Sequence, residues 1–296
     1  MADAFSHYHP LVNFSYFTLV LAFCMTLMHP LCLLISLSCA LYYAIQLRGL
    51  KAVRLGIYVC LPTLLLAVVI NPAFNHAGGT VIAYLPSGNP LTLESILYGL
   101  AAGVMLCAVL LWFTCFNEII TSDKFVYLFG KIAPSLSLVL SMTLRFIPRF
   151  KAQMDNVRQA QYGIGRDILS GSIISRLKKA VTVFSITVTW ALENAIETAD
   201  SMKGRGYGLK GRTAFSIYRI ESRDKQALLW LLFCGVYLIC GILADGLDWW
   251  YFPILQGAKF EPFSISLYII YLALCLTPVV INGRERYLWR LSVLKA

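Results

Sequence analysis

The chain has 296 residues, a formal net charge of +10 and 58% hydrophobic residues, against 14% charged ones. A soluble domain carries about 25% charged residues. With a mean hydropathy of +0.70, the composition excludes an ordinary soluble domain and reads as an integral membrane protein. The expected architecture is an all-α polytopic membrane protein of about six transmembrane helices, with a cytoplasmic helical domain inserted before the last two.

Six apolar stretches approach the roughly 20 residues needed to cross about 30 Å of hydrocarbon. They cover residues 11–28, 31–47, 55–71, 93–120, 227–244 and 263–281. The first has no basic leader and no small-residue cleavage site, so it reads as a span and not a signal peptide. Pro62 predicts a kink in the third. Lysine and arginine are absent from residues 1–46 and from the 72–92 loop. Arg48, Lys51 and Arg54 follow the second span, and Arg284, Arg286, Arg290 and Lys295 follow the last. Lys259 alone lies in the 245–262 loop, beside Asp245, Asp248 and Glu261. The remaining 17 basic residues fall in 121–226, with eight acidic ones. Under the positive-inside rule both termini and the 121–226 segment are cytoplasmic. The predicted organisation is spans one to four in 1–120, a basic helical domain in 121–226, and two spans with a basic tail in 227–296.

The nine cysteines form no CxxC pair and all lie in apolar runs, where they read as small hydrophobes. His7 and His9 are close, but nothing nearby completes a metal-ligand set. No HExxH or GxSxG motif occurs, so the chain is expected to be non-catalytic. The spans are nearly free of charge, with Glu94 and Glu118 at the two ends of the fourth. That speaks against an ion-coupled transporter or channel, which would carry ionisable groups along its pathway.

Within the basic segment, Pro134 and Pro148 each suit the first turn of a helix. The pattern predicts one helix over 134–146 and another over 148–162, stopped by Gly163 and Gly165. Ser172 is a candidate N-cap for a long helix that ends near Gly204 or Gly206. Its middle is apolar and must pack against something apolar. Glu193, Glu197 and Asp200 fall on about one face of it. They read either as a solvated face or as ion-pair partners for basic residues. Arg145 and Arg149, flanking Pro148, either pair with those carboxylates or sit at headgroup level as structural anchors.

The stretch "SMKGRGYGLKGRT" holds Gly206, Gly208 and Gly211 at GxGxxG spacing, and Gly206, Gly211, Arg212 and Thr213 nearly match a phosphate loop. A phosphate loop needs a strand before it and a helix after it. Here a long helix precedes the glycines and arginine replaces the lysine. The stretch therefore reads as a glycine helix cap followed by a basic loop, with Lys203 and Arg205 meeting the negative end of the helix dipole.

"ENAIETADSMKGRGYGLKGRT" also resembles the end of the last coupling helix in the T component of energy-coupling factor transporters. That family has Ala-Arg-Gly followed by Tyr, then a basic Gly-Arg-Thr; this chain has Gly204-Arg205-Gly206-Tyr207 and Gly211-Arg212-Thr213. "LRFIPRFKAQMDNVRQAQ" is similar to the family's other block, which precedes a first Ala-Arg-Gly. Ala160 and Gln161 are present, but Gly163-Ile164-Gly165 follows, so the first arginine is missing. The resemblance implies a scaffold in a bacterial cell membrane. Two cytoplasmic ABC-type ATPases would grip its coupling helices, and a membrane-embedded S component would bind a vitamin or transition metal. It implies ATPase contacts at Gly204, Arg205, Gly206, Tyr207 and Arg212, and at Ala160, Gln161, Gly163 and Gly165. ATP and magnesium would be held by the partners, no cofactor by this chain, and nucleic acid has no role. The alternatives are a self-contained secondary transporter or channel, or a membrane-bound interaction scaffold.

Overall fold

The computed structural model describes residues 3–84, 89–130, 134–166, 171–209, 218–257 and 261–295. In chain order the helices are α1 (Pro10–Thr26), α2 (Pro30–Arg48), α3 (Leu50–Leu55), α4 (Leu61–Phe74), α5 (Leu93–Ile119), α6 (Ser122–Gly130), α7 (Pro134–Gly163), α8 (Ile173–Gly204), α9 (Ser222–Leu243) and α10 (Pro262–Lys295). Two antiparallel ribbons join them: β1 (Val81–Tyr84) pairs with β2 (Pro90–Thr92), and β3 (Trp249–Trp250) pairs with β4 (Gln256–Gly257). The chain divides into two compact units. One is Met1–Thr121 with Tyr218–Ala296, and the other is Ser122–Ile217. Residues 218–226 thus join the membrane unit with α9.

In the membrane unit, five helical stretches are long and apolar enough to cross a bilayer: Pro30–Arg48, Leu50–Phe74, Leu93–Ile119, Ser222–Leu243 and Pro262–Leu291. The expected first span, α1, is apolar but has only 17 residues, about 25 Å at 1.5 Å per residue. The third expected span starts earlier than its hydropathy suggested. It runs from α3 through a π-helical turn at Gly56–Cys60 into α4. Pro62 falls in the first turn of α4, where its missing N–H is tolerated. The irregularity is the π turn before it.

Helices α1, α2, α5, α9 and α10 contribute the main core, with Tyr16, Phe17, Tyr43, Trp112 and Tyr271 fully buried. In lipid, apolar contact alone does not drive helices together, so close packing and polar links matter more. Trp112 Nε1–H donates to Ser36 Oγ at 3.0 Å, and Ser36 donates on to Cys24 Sγ at 3.2 Å. The Tyr16 hydroxyl donates to the Cys275 carbonyl at 3.0 Å. Tyr16 and Phe17 meet Trp112 edge-on at 6.0 and 6.4 Å. Helix α4 lies on α5 at Gly99 and Gly103, and a Cβ at Gly99 would fall 2.9 Å from the Ala67 carbonyl oxygen.

The two ends of this bundle differ. At one end, Arg48 Nε pairs with Glu118 Oε2 at 2.8 Å. Near them the N-terminal segment is clasped by distant residues. Phe5 N–H donates to Asn282 Oδ1 at 3.1 Å, and Tyr43 OH donates to Asp3 Oδ2 at 3.1 Å. Asn282 Nδ2 closes the loop onto Asp3 Oδ1, and His9 N–H donates to Asp224 Oδ1 at 3.1 Å. At the other end, Tyr251 OH donates to the Met28 carbonyl at 2.9 Å and His29 Nε2 lies 3.0 Å from Tyr268 OH. Basic side chains gather at the first end and, among the described residues of this unit, are missing from the second. His9 and His29, each before a proline, cap α1 and α2. Each Nδ1 accepts a backbone N–H two residues on, at 3.2 Å.

In the second unit, α6 packs on α7 and α7 on α8. The helix break expected at Pro148 does not occur. Helix α7 runs unbroken for 30 residues, with Pro148 inside it. Proline removes one backbone hydrogen bond, and helix-favouring residues on both sides carry the helix through. Just beyond it Phe150 meets Trp190 of α8 edge-on at 6.0 Å. Helix α8 starts after Ser172, which occupies the N-cap position without a side-chain hydrogen bond. Val183 and Thr187 are buried, while Leu177, Val181, Phe184 and Leu192 form an exposed apolar stripe.

Candidate coupling site

Helices α7 and α8 end in the same way. After α8, Gly206 adopts φ +73°, its N–H donates to the Lys203 carbonyl at 2.8 Å, and Tyr207 N–H donates to Met202 at 3.0 Å. After α7, Gly165 adopts φ +78°, its N–H donates to Tyr162 at 2.9 Å, and Arg166 N–H donates to Gln161 at 2.9 Å. In each cap a left-handed glycine bonds three residues back and the next residue bonds five back. This is the Schellman pattern, which satisfies carbonyls that the helix end leaves open. It superimposes Gly163-Ile164-Gly165 on Gly204-Arg205-Gly206, residue for residue.

The residues singled out from the sequence take clear places on these caps. Arg205 is the exposed C-cap of α8, and Tyr207 is 53% exposed. Ile164 stands where Arg205 stands and is 65% exposed, an unusual setting for a large aliphatic side chain at a helix tip. Ala160 accepts the Ile164 N–H at 3.3 Å, and Gln161 accepts that of Arg166. Gly163 and Gly204 close their helices, and a Cβ on either would meet nothing within 4 Å. Gly208, at φ +92°, holds a second left-handed turn just past the α8 cap. Arg212 lies outside the described residues.

Arg145, Pro148 and Arg149 are exposed on α7, and Glu193 and Glu197 are exposed on α8. Among the described residues none of these charged groups forms an ion pair. Among the described residues no group of three or more His, Cys, Asp and Glu side chains could hold a metal ion. The sequence resemblance already set Gly163-Ile164-Gly165 and Gly204-Arg205-Gly206 at the family's two motif positions; what the structure adds is that both triplets form the same helix cap.

An apolar helical bundle joined to a helical unit with two exposed, identically built helix tips defines a polytopic all-α membrane protein. The family model for CbiQ, described as cobalt transport protein, matches residues 5–215. That range takes in α1 through α8 and both caps, and the chain belongs to this family. Over 214 residues it is 28% identical to the energy-coupling factor transporter transmembrane protein EcfT 1 of Listeria monocytogenes serotype 1/2a (strain 08-5578), covering 66% of this chain and 78% of the relative. It is 30% identical over 122 residues to the protein EcfT of Clostridium kluyveri, covering 41% of this chain and 43% of the relative. It is 32% identical over 104 residues to EcfT of Bacillus subtilis (strain 168), covering 35% and 39%. The last two alignments thus reach less than half of each relative's length.

Proposed function

We propose that this chain is the transmembrane T component of an energy-coupling factor importer in a bacterial cell membrane. It is a non-catalytic scaffold that transmits ATP-driven closure of two cytoplasmic ABC-type ATPases to a separate membrane-embedded S component. The observation that carries the proposal is the pair of matching caps at the ends of α7 and α8, each presenting one exposed side chain, Ile164 or Arg205, just before a left-handed glycine. A guanidinium at a helix tip can make bidentate contact with a carboxylate or with open helix-end carbonyls of a partner groove. Gly163 and Gly204 support the same reading. Glycine disfavours a helix by about 1 kcal/mol relative to alanine, and none of the described residues comes close enough to require it there. A partner backbone approaching closely would.

ATP and magnesium belong to the ATPases in this scheme. The S component selects the cargo, a vitamin or a transition metal such as the cobalt of the family's description. The exposed apolar stripe of α8 at Leu177, Val181, Phe184 and Leu192 offers it a surface. The basic end of the bundle, with both termini, faces the cytoplasm. Extraction of the tagged chain in mild detergent tests the proposal. Two ATPases and a small membrane protein are expected to co-purify, and ATPase activity is expected only in their presence. A chain that purifies alone, under conditions where other ABC complexes stay intact, overturns it.

A further inference from the structure

A groove of about 520 Å³ lies between α9 and α10 at the basic end of the membrane unit. The two helices run antiparallel, fixed by Trp230 Nε1–H donating to Thr277 Oγ1 at 3.2 Å and by a 2.7 Å hydrogen bond between Tyr237 and Ser266. The body of the groove is apolar, lined by Trp230, Ile269, Leu272, Leu276 and Val280. Its mouth carries two cations, Arg223 from the start of α9 and Arg284 from α10, with Tyr8 between the helix ends. The Arg223 Cζ atom sits 5.3 Å from the centre of the Tyr8 ring.

We propose that this groove binds one anionic phospholipid, with an acyl chain along Trp230, Leu272 and Leu276 and the phosphate between Arg223 and Arg284. The volume falls in the range of about 300–1,000 Å³ typical of small-molecule sites. It is far too small for a helix about 10 Å across that crosses the bilayer. The polarity runs the right way, from hydrocarbon-facing residues to a tyrosine and two arginines at headgroup level. Basic pockets between helices at this level suit anionic headgroups.

The acids nearby leave the cations available. Asp224 is committed to the α9 cap and to His9. Glu221 pairs with Arg223 at 2.9 Å, but both side chains are largely exposed, and such a pair is weak in water. Arg284 forms no ion pair among the described residues, and neighbouring Glu285 does not line the groove. The site is independent of the coupling role, since none of its residues lies on α7 or α8.

The test is native mass spectrometry of the delipidated full chain, with whatever subunits co-purify, titrated with phosphatidylglycerol or with phosphatidylcholine of the same acyl chains. The wild type is expected to prefer phosphatidylglycerol. The double variant Arg223→Gln/Arg284→Gln is expected to lose about 30-fold in phosphatidylglycerol affinity. The equally charge-reduced control Arg286→Gln/Arg290→Gln, on the same tail but outside the groove, is expected to keep it. Trp230→Ala, which opens the apolar body and spares the mouth, is expected to weaken both lipids. No preference in the wild type, an equal loss in the control, or phosphatidylglycerol displaced by glycerol phosphate alone would each overturn the proposal. So would a co-purifying membrane subunit that shields the groove and leaves no lipid bound in the complex.

Discussion

Ile164 and Arg205 occupy the same position in two hydrogen-bonded helix caps of one pattern, one residue before a glycine at φ +78° and φ +73° respectively. If both tips dock on partner ATPases as proposed, such unlike side chains call for unlike receptors. Arg205→Glu is expected to prevent assembly with the ATPases, because losing a desolvated, paired arginine costs about 2–5 kcal/mol. Ile164→Arg is expected to weaken assembly by about 1–3 kcal/mol, since it buries a cation against an apolar receptor. Co-purification yields of the two variants check both expectations. Unimpaired assembly of Ile164→Arg would show that the two receptors are alike.

The four cap glycines separate into two classes. Gly165→Ala and Gly206→Ala force alanine into the left-handed region at about 1–2 kcal/mol each, so amide exchange at the affected helix end should speed up in the isolated chain. Gly163→Ala and Gly204→Ala meet only open space and should stabilise their helix ends by up to about 1 kcal/mol. The same two alanines should nevertheless reduce ATPase binding. Normal binding by Gly204→Ala would remove the close-approach role assigned to it.

Asn282 holds both the Phe5 N–H and the Asp3 carboxylate. Asn282→Ala should therefore destabilise the membrane unit by about 1–3 kcal/mol, because it removes the side-chain acceptor of the Phe5 N–H and one donor to Asp3. At about 2–4 °C per kcal/mol for a unit of this size, the thermal midpoint in detergent should fall by several degrees. An unchanged midpoint would mean that the clasp contributes nothing to stability.

His29 must be neutral to cap α2, because its Nδ1 accepts the Leu31 N–H. Burial pushes its pKa below the ordinary 6.5. The folded state therefore binds this proton less readily than the unfolded chain. The contribution is fully present above about pH 6.5 and is lost as pH falls towards the folded-state value. Thermal midpoints measured between about pH 7 and pH 5 should decline. His29→Asn, which keeps a cap acceptor, should decline less. Equal slopes would assign the acid sensitivity to other groups.

At Gly99 the backbones of α4 and α5 approach too closely for any side chain. Gly99→Val should destabilise by at least about 1–3 kcal/mol through overpacking. A cysteine cross-link between α4 and α5 placed away from Gly99 should form more slowly in that variant. An unaltered rate would mean that the contact yields without cost.

Much of this architecture was legible because hydropathy reports burial in lipid directly. The spans of α2, α5, α9 and α10 and the long α8 followed from composition and glycine stops. The errors arose where local rules met longer-range structure. Pro148 marked a helix start by propensity, yet a 30-residue helix absorbs the one missing hydrogen bond. The π turn before Pro62 has no sequence signature. Histidine is not a favoured N-cap, so the His9-Pro10 and His29-Pro30 caps were not anticipated. The α8 tip was readable from Arg205 and its glycines. At the α7 tip the sequence showed the motif position but, with Ile164 in place of the arginine, not that the cap there is built like that of α8.

The clasp that ties Asp3 and Phe5 to Asn282 also orders the birth of the molecule. Residues 277 and 279 positions apart in the chain meet in it, so one segment waits for another that is translated much later. Until α10 has entered the membrane, Asp3 and Tyr43 lack the asparagine that completes their network, and His9 waits likewise for Asp224 on α9. Closing so long a loop carries an entropic penalty that grows only logarithmically with its length. The helices between are already held by the bilayer. The clasp of the membrane unit thus closes only after α10 has been made, when the helical unit of α6, α7 and α8 has already been translated.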